Sequence, residues 1–112
     1  MMTLEQIYRL AVDVGMKADP RGVGGVKKVL ARRKQDYEDL PKSKKVEFDP
    51  EDLTNPYADS RILLGEPKLK VDKILAGIDI SSAEVVLADR LNQKGAGIDL
   101  LIAHHPVGGP LA

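Results

Sequence analysis

Cysteine is absent from the 112 residues, aromatic side chains make up only 4%, and the 17 basic and 17 acidic residues cancel. Without cysteine there is no disulfide, no thiolate metal site and no cysteine nucleophile, and the composition suits a reducing cytoplasm. Few aromatics and a net charge of zero argue against a protein that binds nucleic acid by base stacking or by a broad positive field. No apolar run approaches the roughly 20 residues that cross a bilayer, and the N-terminus lacks the basic-then-apolar order of a signal peptide. The expectation is a soluble, cytoplasmic chain of domain size, long enough to bury a usable core.

What the chain does have is unevenly placed. Residues 27–45 hold eight basic and three acidic side chains, whereas residues 46–112 hold six basic and eleven acidic ones. Lys27, Lys28, Arg32, Arg33 and Lys34 read as the solvated face of a helix, the usual role of such a run. The competing role is contact with a phosphate-bearing partner, although Asp36, Glu38 and Asp39 just beyond would blunt an extended anion track.

Local patterns predict the elements. Thr3 with Gln6 forms a capping-box pattern, and Leu4, Ile7, Leu10, Ala11 and Val14 recur at helical spacing until Gly15 supplies a stop. A loop with Gly22, Gly24 and Gly25 leads to a second helix, in which Val26, Val29, Leu30, Arg33, Tyr37 and Leu40 share a face before Pro41. The glycines do not make a phosphate loop, because no strand precedes them and no Gly-Lys-Ser/Thr follows. Residues 41–57, with Pro41, Pro50 and Pro56, read as a linker holding at most one helical turn near Pro50 to Leu53. The expected division is therefore a helical region over 1–57 and an α/β portion over 58–112.

In that second portion Arg61-Ile62-Leu63-Leu64 reads as a short strand and Lys73 to Ile80 as a second, nearly continuous apolar one; such runs suit strands covered on both faces. Ser81 with Glu84 is another capping box, opening a helix whose Leu87, Ala88 and Leu91 are expected to face inward until Gly95 ends it. Asp99 to Ala103 forms a third strand. The fold class is α/β: a parallel βαβ unit in an α/β/α layered fold, preceded by two helices.

The third strand runs into His104-His105-Pro106, the only histidines in the chain. They stand at the carboxyl end of a parallel strand, where open α/β sheets place their ligands. From the residues alone two roles compete: one capping histidine beside a solvated neighbour, or a pair of metal ligands, since neutral imidazole is the commonest protein ligand for such ions. Neighbouring side chains on a regular strand point to opposite faces, so both histidines serve one site only where the strand ends. Asp79, near the end of the second strand, should emerge on the same edge. It either orients the Ser81–Ser82 turn or accepts a hydrogen bond that fixes an imidazole tautomer. Asp59-Ser60-Arg61 reads as a turn.

The stretch ILAGIDISSAEVVLADRLNQKGAGIDLLIAHHP, residues 74–106, resembles the first metal-binding half of the Nif-three-like proteins, also known as GTP cyclohydrolase I type 2 homologues. The marks are the strand ending in Ile78-Asp79, the helix that follows, and the apolar strand closing in His104-His105-Pro106; ADSRILLGEP, residues 58–67, resembles a family segment more loosely. The resemblance implies a dinuclear centre of divalent ions (zinc, manganese or iron) in a ring-shaped homohexamer, with His104 and His105 each ligating a metal. It also implies hydrolase-type chemistry on a phosphate- or purine-bearing ligand; the alternative is a regulatory or binding module in which the metal is structural. The family completes its centre with a later aspartate, histidine and glutamate that do not occur here, so the expectation is a C-terminally truncated piece.

Overall fold

The computed structural model describes residues 1–106. The fold is mixed α/β, with a parallel pair of strands joined through a helix and two long helices before it. Its elements are β1 (Met2–Thr3), α1 (Leu4–Ala18), α2 (Gly22–Asp39), α3 (Lys42–Lys45), a 3-10 turn (Pro50–Leu53), β2 (Lys70–Val71), β3 (Ile74–Ile80), α4 (Ser82–Gln93) and β4 (Leu100–Pro106). The chain divides into two compact units: Arg9–Ser60, and Met1–Tyr8 with the chain from Arg61 onward. No helix among the described residues is long and apolar enough to cross a membrane.

In the unit Arg9–Ser60, Val12 of α1, Val26 of α2 and Pro56 are buried, the Tyr37 and Phe48 rings meet with centroids 4.8 Å apart, and polar side chains supply further order. Arg33 follows the face it was expected to share with Val26, not the solvated basic run. It is half-buried rather than solvated, and its guanidinium donates to the carbonyls of Asp52 (3.4 Å), Asn55 (3.0 Å) and Pro56 (3.2 Å). The five N–H groups of arginine, fixed in one plane, can satisfy several carbonyls at once, which a lysine cannot match. Asn55, 2% exposed, donates to the Ser60 carbonyl at 2.7 Å and accepts from the Tyr57 N–H at 2.9 Å. Its amide thereby replaces a hydrogen-bond ladder in a segment that has none.

The Asp19 carboxylate closes the turn between α1 and α2. It accepts from the Arg21 backbone N–H at 2.9 Å, from the Arg21 guanidinium at 2.9 and 2.8 Å, and from the Tyr57 hydroxyl at 3.0 Å. Gly15, expected to end α1, lies inside it, because the Tyr57 ring rests on its backbone: a Cβ there would stand 3.2 Å from Tyr57 Cε2. The expected inward stripe of α1 holds at Leu4, which is buried, but not further along. Val12 is buried, while Leu10 and Val14 are exposed.

In the other unit, the Thr3–Gln6 capping box forms as expected, with Thr3 N–H donating to Gln6 Oε1 (2.9 Å) and Gln6 N–H to Thr3 Oγ1 (3.2 Å). Arg61–Leu64 is not a strand: a strand exists through its ladder, and the antiparallel partner of β1 is β2, with Met2 opposite Val71 and Thr3 opposite Lys70. The Leu4 N–H extends that pairing to the Leu69 carbonyl at 2.9 Å, whereas Leu64 stands 92% exposed. α4 packs on β3 and buries Ala88, but Leu87 is exposed, contrary to expectation. Coverage of the strands on both faces is also not seen: Ile74, Ile78 and Ile102 are exposed in this structure. One helix packs on the pair, and a single helix cannot cover both sides of it.

Candidate functional site

The site is placed by the opposite end of the βαβ unit. The Asp99 carboxylate accepts from the backbone N–H groups of Asp72 (2.9 Å) and Lys73 (3.0 Å), while the Lys73 carbonyl accepts from the N–H of Asp99 (2.9 Å) and of Leu100 (3.3 Å). These backbone donors hold the Asp99 carboxyl below the usual carboxylate range. They pin the first residues of β3 and β4 side by side, so the register follows: Ile74 with Leu100, Leu75 with Leu101, and at the far end Asp79 with His105. A slip of one residue would turn every side chain of β4 to the other face. Asp99 was read only as the start of a strand, and its part in the register carried no sequence signal.

The connection back from α4 is equally fixed. Ser81 caps the helix with Glu84 in a capping box; the Glu84 carboxylate accepts from the Ser81 N–H (2.7 Å) and hydroxyl (2.6 Å). Those two bonds lower the Glu84 pKa and keep it ionised. At the other end the N–H of Gly95 donates to the Asn92 carbonyl (2.9 Å) and that of Ala96 to the Leu91 carbonyl (3.0 Å), a Schellman pair for which Gly95 takes φ +86°. The Asn92 side chain both donates to and accepts from Ile98, at 2.9 and 2.7 Å, and Lys73 Nζ donates to the Ala96 carbonyl.

With start and return fixed, the carboxyl edge of the pair collects Asp79, the opening of α4 and the two histidines. The His104 and His105 rings, both exposed, lie with centroids 4.4 Å apart and planes at 79°, edge to face. The structure thus brings the two imidazoles together, although β4 continues to Pro106. It brings Asp79 to the His105 position in register, but among the described residues no hydrogen bond is closed to its carboxylate. The Ser81–Ser82 turn is capped by Glu84 instead, so the expected orienting role of Asp79 is not the one the structure uses. Paired imidazoles suit a borderline divalent ion, and so the donors fit the metal implied by the resemblance in kind. In number they do not complete a site: among the described residues no three His, Asp or Glu side chains are close enough to hold one ion.

The N-terminus of α4 does not offer a phosphate cradle at this edge, because the Glu84 carboxylate already occupies it. The edge carries the two imidazoles and the Asp79 carboxylate, while the Glu84 carboxylate is taken up by Ser81. No family model, curated protein or solved structure matches the chain.

Proposed function

We propose that this chain is a metal-binding protein of the Nif-three-like type with hydrolase-type chemistry, working in the cytoplasm as a homo-oligomer, in which His104 and His105 each ligate a divalent ion. The observation that carries the proposal is the edge-to-face approach of the two imidazoles at 4.4 Å, at the carboxyl end of a parallel strand whose register is pinned from the other end. His104 and His105 act as neutral nitrogen donors. Asp79, in register with His105, would accept the remaining imidazole N–H of the ligand, which would fix the tautomer and raise its basicity. Bound zinc, manganese or iron would supply water activation and charge neutralisation for a phosphate- or purine-bearing substrate.

The test is the metal content of purified parent, His104→Ala and His105→Ala proteins, by elemental analysis, with circular dichroism alongside. Each variant is expected to lose at least half of the bound metal and keep the helical signal. Equal metal content in all three overturns the assignment.

A further inference from the structure

The solvent side of α2 is split into two blocks of opposite charge. Lys27, Lys28, Arg32 and Lys34 are exposed on its middle turns, and Asp36, Glu38 and Asp39 are exposed at its end. Apart from Asp39, which accepts from Gln35, none of these side chains has a partner among the described residues. The acidic part of this pattern works against the helix itself. The carboxylates stand at the negative end of the helix dipole, with no acidic residue in the first turn and no basic residue in the last, while the cations lie in the middle turns. Arg32 with Asp36, and Lys34 with Glu38, are four apart in the weaker order, basic residue first, and neither pair closes. Arg33 is the contrast: on the same helix it is consumed by three carbonyls of its own unit. The remaining charges serve neither the dipole nor the packing.

We propose that this face of α2 docks a short segment of another protein whose charges run the opposite way: three or four Asp or Glu followed within about two helical turns by Lys or Arg. The basic block from Lys27 to Lys34 spans about 10 Å of helix axis, and the whole face from Lys27 to Asp39 about 18 Å. That reach suits a short bipolar segment. An unbroken polyanion such as a nucleic acid would carry its phosphates straight onto Asp36, Glu38 and Asp39, so the acidic block selects against it. Attraction between exposed charges of this kind steers association and weakens with salt.

The test uses the full chain and three labelled probes in fluorescence anisotropy at 50 and 200 mM salt: a 14-residue peptide with four Glu ahead of three Lys, an all-Glu peptide of equal length, and a 14-base-pair DNA duplex. The bipolar peptide is expected to bind saturably, at least fivefold tighter than the other two, and more weakly at the higher salt. The K27E/K28E/K34E variant should lose at least tenfold in affinity for it, and the D36K/E38K/D39K variant should come to prefer the all-Glu peptide. D36K/E38K/D39K places cations where the dipole favours them, and circular dichroism checks that both variants keep the helical signal. Absence of saturable binding at 50 mM salt, tighter binding of the duplex or the all-Glu peptide by the parent, or unchanged affinity in both variants overturns the proposal.

Discussion

In the unit Arg9–Ser60 the hydrogen bonds that fix the chain join residues far apart in sequence, 19 to 23 positions for Arg33 and 38 for Tyr57 with Asp19. Around α4 the corresponding bonds join Ser81 to Glu84 and Asn92 to Ile98, three and six positions apart. The first region is ordered by a few polar side chains, Arg33 on the carbonyls of a distant loop and Tyr57 on the Asp19 carboxylate. The second is ordered by motifs that any helix of that sequence would make for itself. Loss of one side chain should therefore be felt across a whole segment in the first region, and stay confined to one helix end in the second.

The largest expected effect is at Arg33. Replacement by methionine keeps most of the stem and removes the donors, leaving the carbonyls of Asp52, Asn55 and Pro56 without their shared partner. Loss of hydrogen bonds from a charged donor to part-buried acceptors is worth about 2–3 kcal/mol. Arg33→Lys should recover only part of it, because an ammonium cannot span the three acceptors in one plane. Urea unfolding reads both, as a fall in midpoint at unchanged slope. A change below about 0.5 kcal/mol for Arg33→Met, the range of ordinary surface substitutions, would erase the contrast between the two regions.

That contrast also explains what could be read in advance. The capping boxes at Thr3 and Ser81 and the stop at Gly95 were legible, because each is written within four or five residues and depends on nothing distant. Gly15 was misread as a stop for the opposite reason: what it accommodates is the ring of Tyr57, 42 positions away. Arg33 fell by helical spacing on the face shared with Val26 and Tyr37, but the three distant carbonyls it satisfies carry no local signal. The apolar stripe through Leu10 and Val14 matched helical spacing, yet the side that faces inward is set by Val12 and the ring on Gly15. At the candidate site the position of His104 and His105 at a strand end followed from the pattern of the last forty residues. The approach of their rings and the pinning of the register by Asp99 did not, because both depend on the pairing of β3 with β4.

A second, smaller effect tests the polar lock through pH. Hydrogen bonds from Arg21 hold the Asp19 carboxyl below its ordinary value near about 4, while partial burial and the hydrogen bond to Asp19 push the Tyr57 hydroxyl up. A carboxyl depressed in the folded state contributes stability that is fully present above its unfolded value and is lost as pH falls below it. The parent should therefore lose urea resistance progressively below about pH 4. Asp19→Asn should start less stable at pH 7 and show a shallower loss, with the remaining slope coming from Glu84 and Asp99, whose carboxyls are lowered too. Identical slopes for parent and variant between pH 6 and pH 3 would remove Asp19 from the account.

The smallest effect belongs to the locally ordered region. Gly95 follows α4 at φ +86°, where its N–H and that of Ala96 satisfy the carbonyls of Asn92 and Leu91. A Cβ meets no neighbour there, so the cost of Gly95→Ala is the backbone conformation alone, about 1 kcal/mol. No charge takes part in those two bonds, and the penalty should be the same at pH 7 and at pH 3. The Asp19 lock should contribute less at pH 3 than at pH 7, because the carboxyl of the unfolded chain is by then largely protonated. Urea titrations of parent, Gly95→Ala, Asp19→Asn and the double variant at the two pH values separate the cases, since distant sites add. A Gly95→Ala penalty that shrinks in acid along with that of Asp19→Asn would show that the helix end depends on the polar lock, and that local and long-range order in this chain are one system.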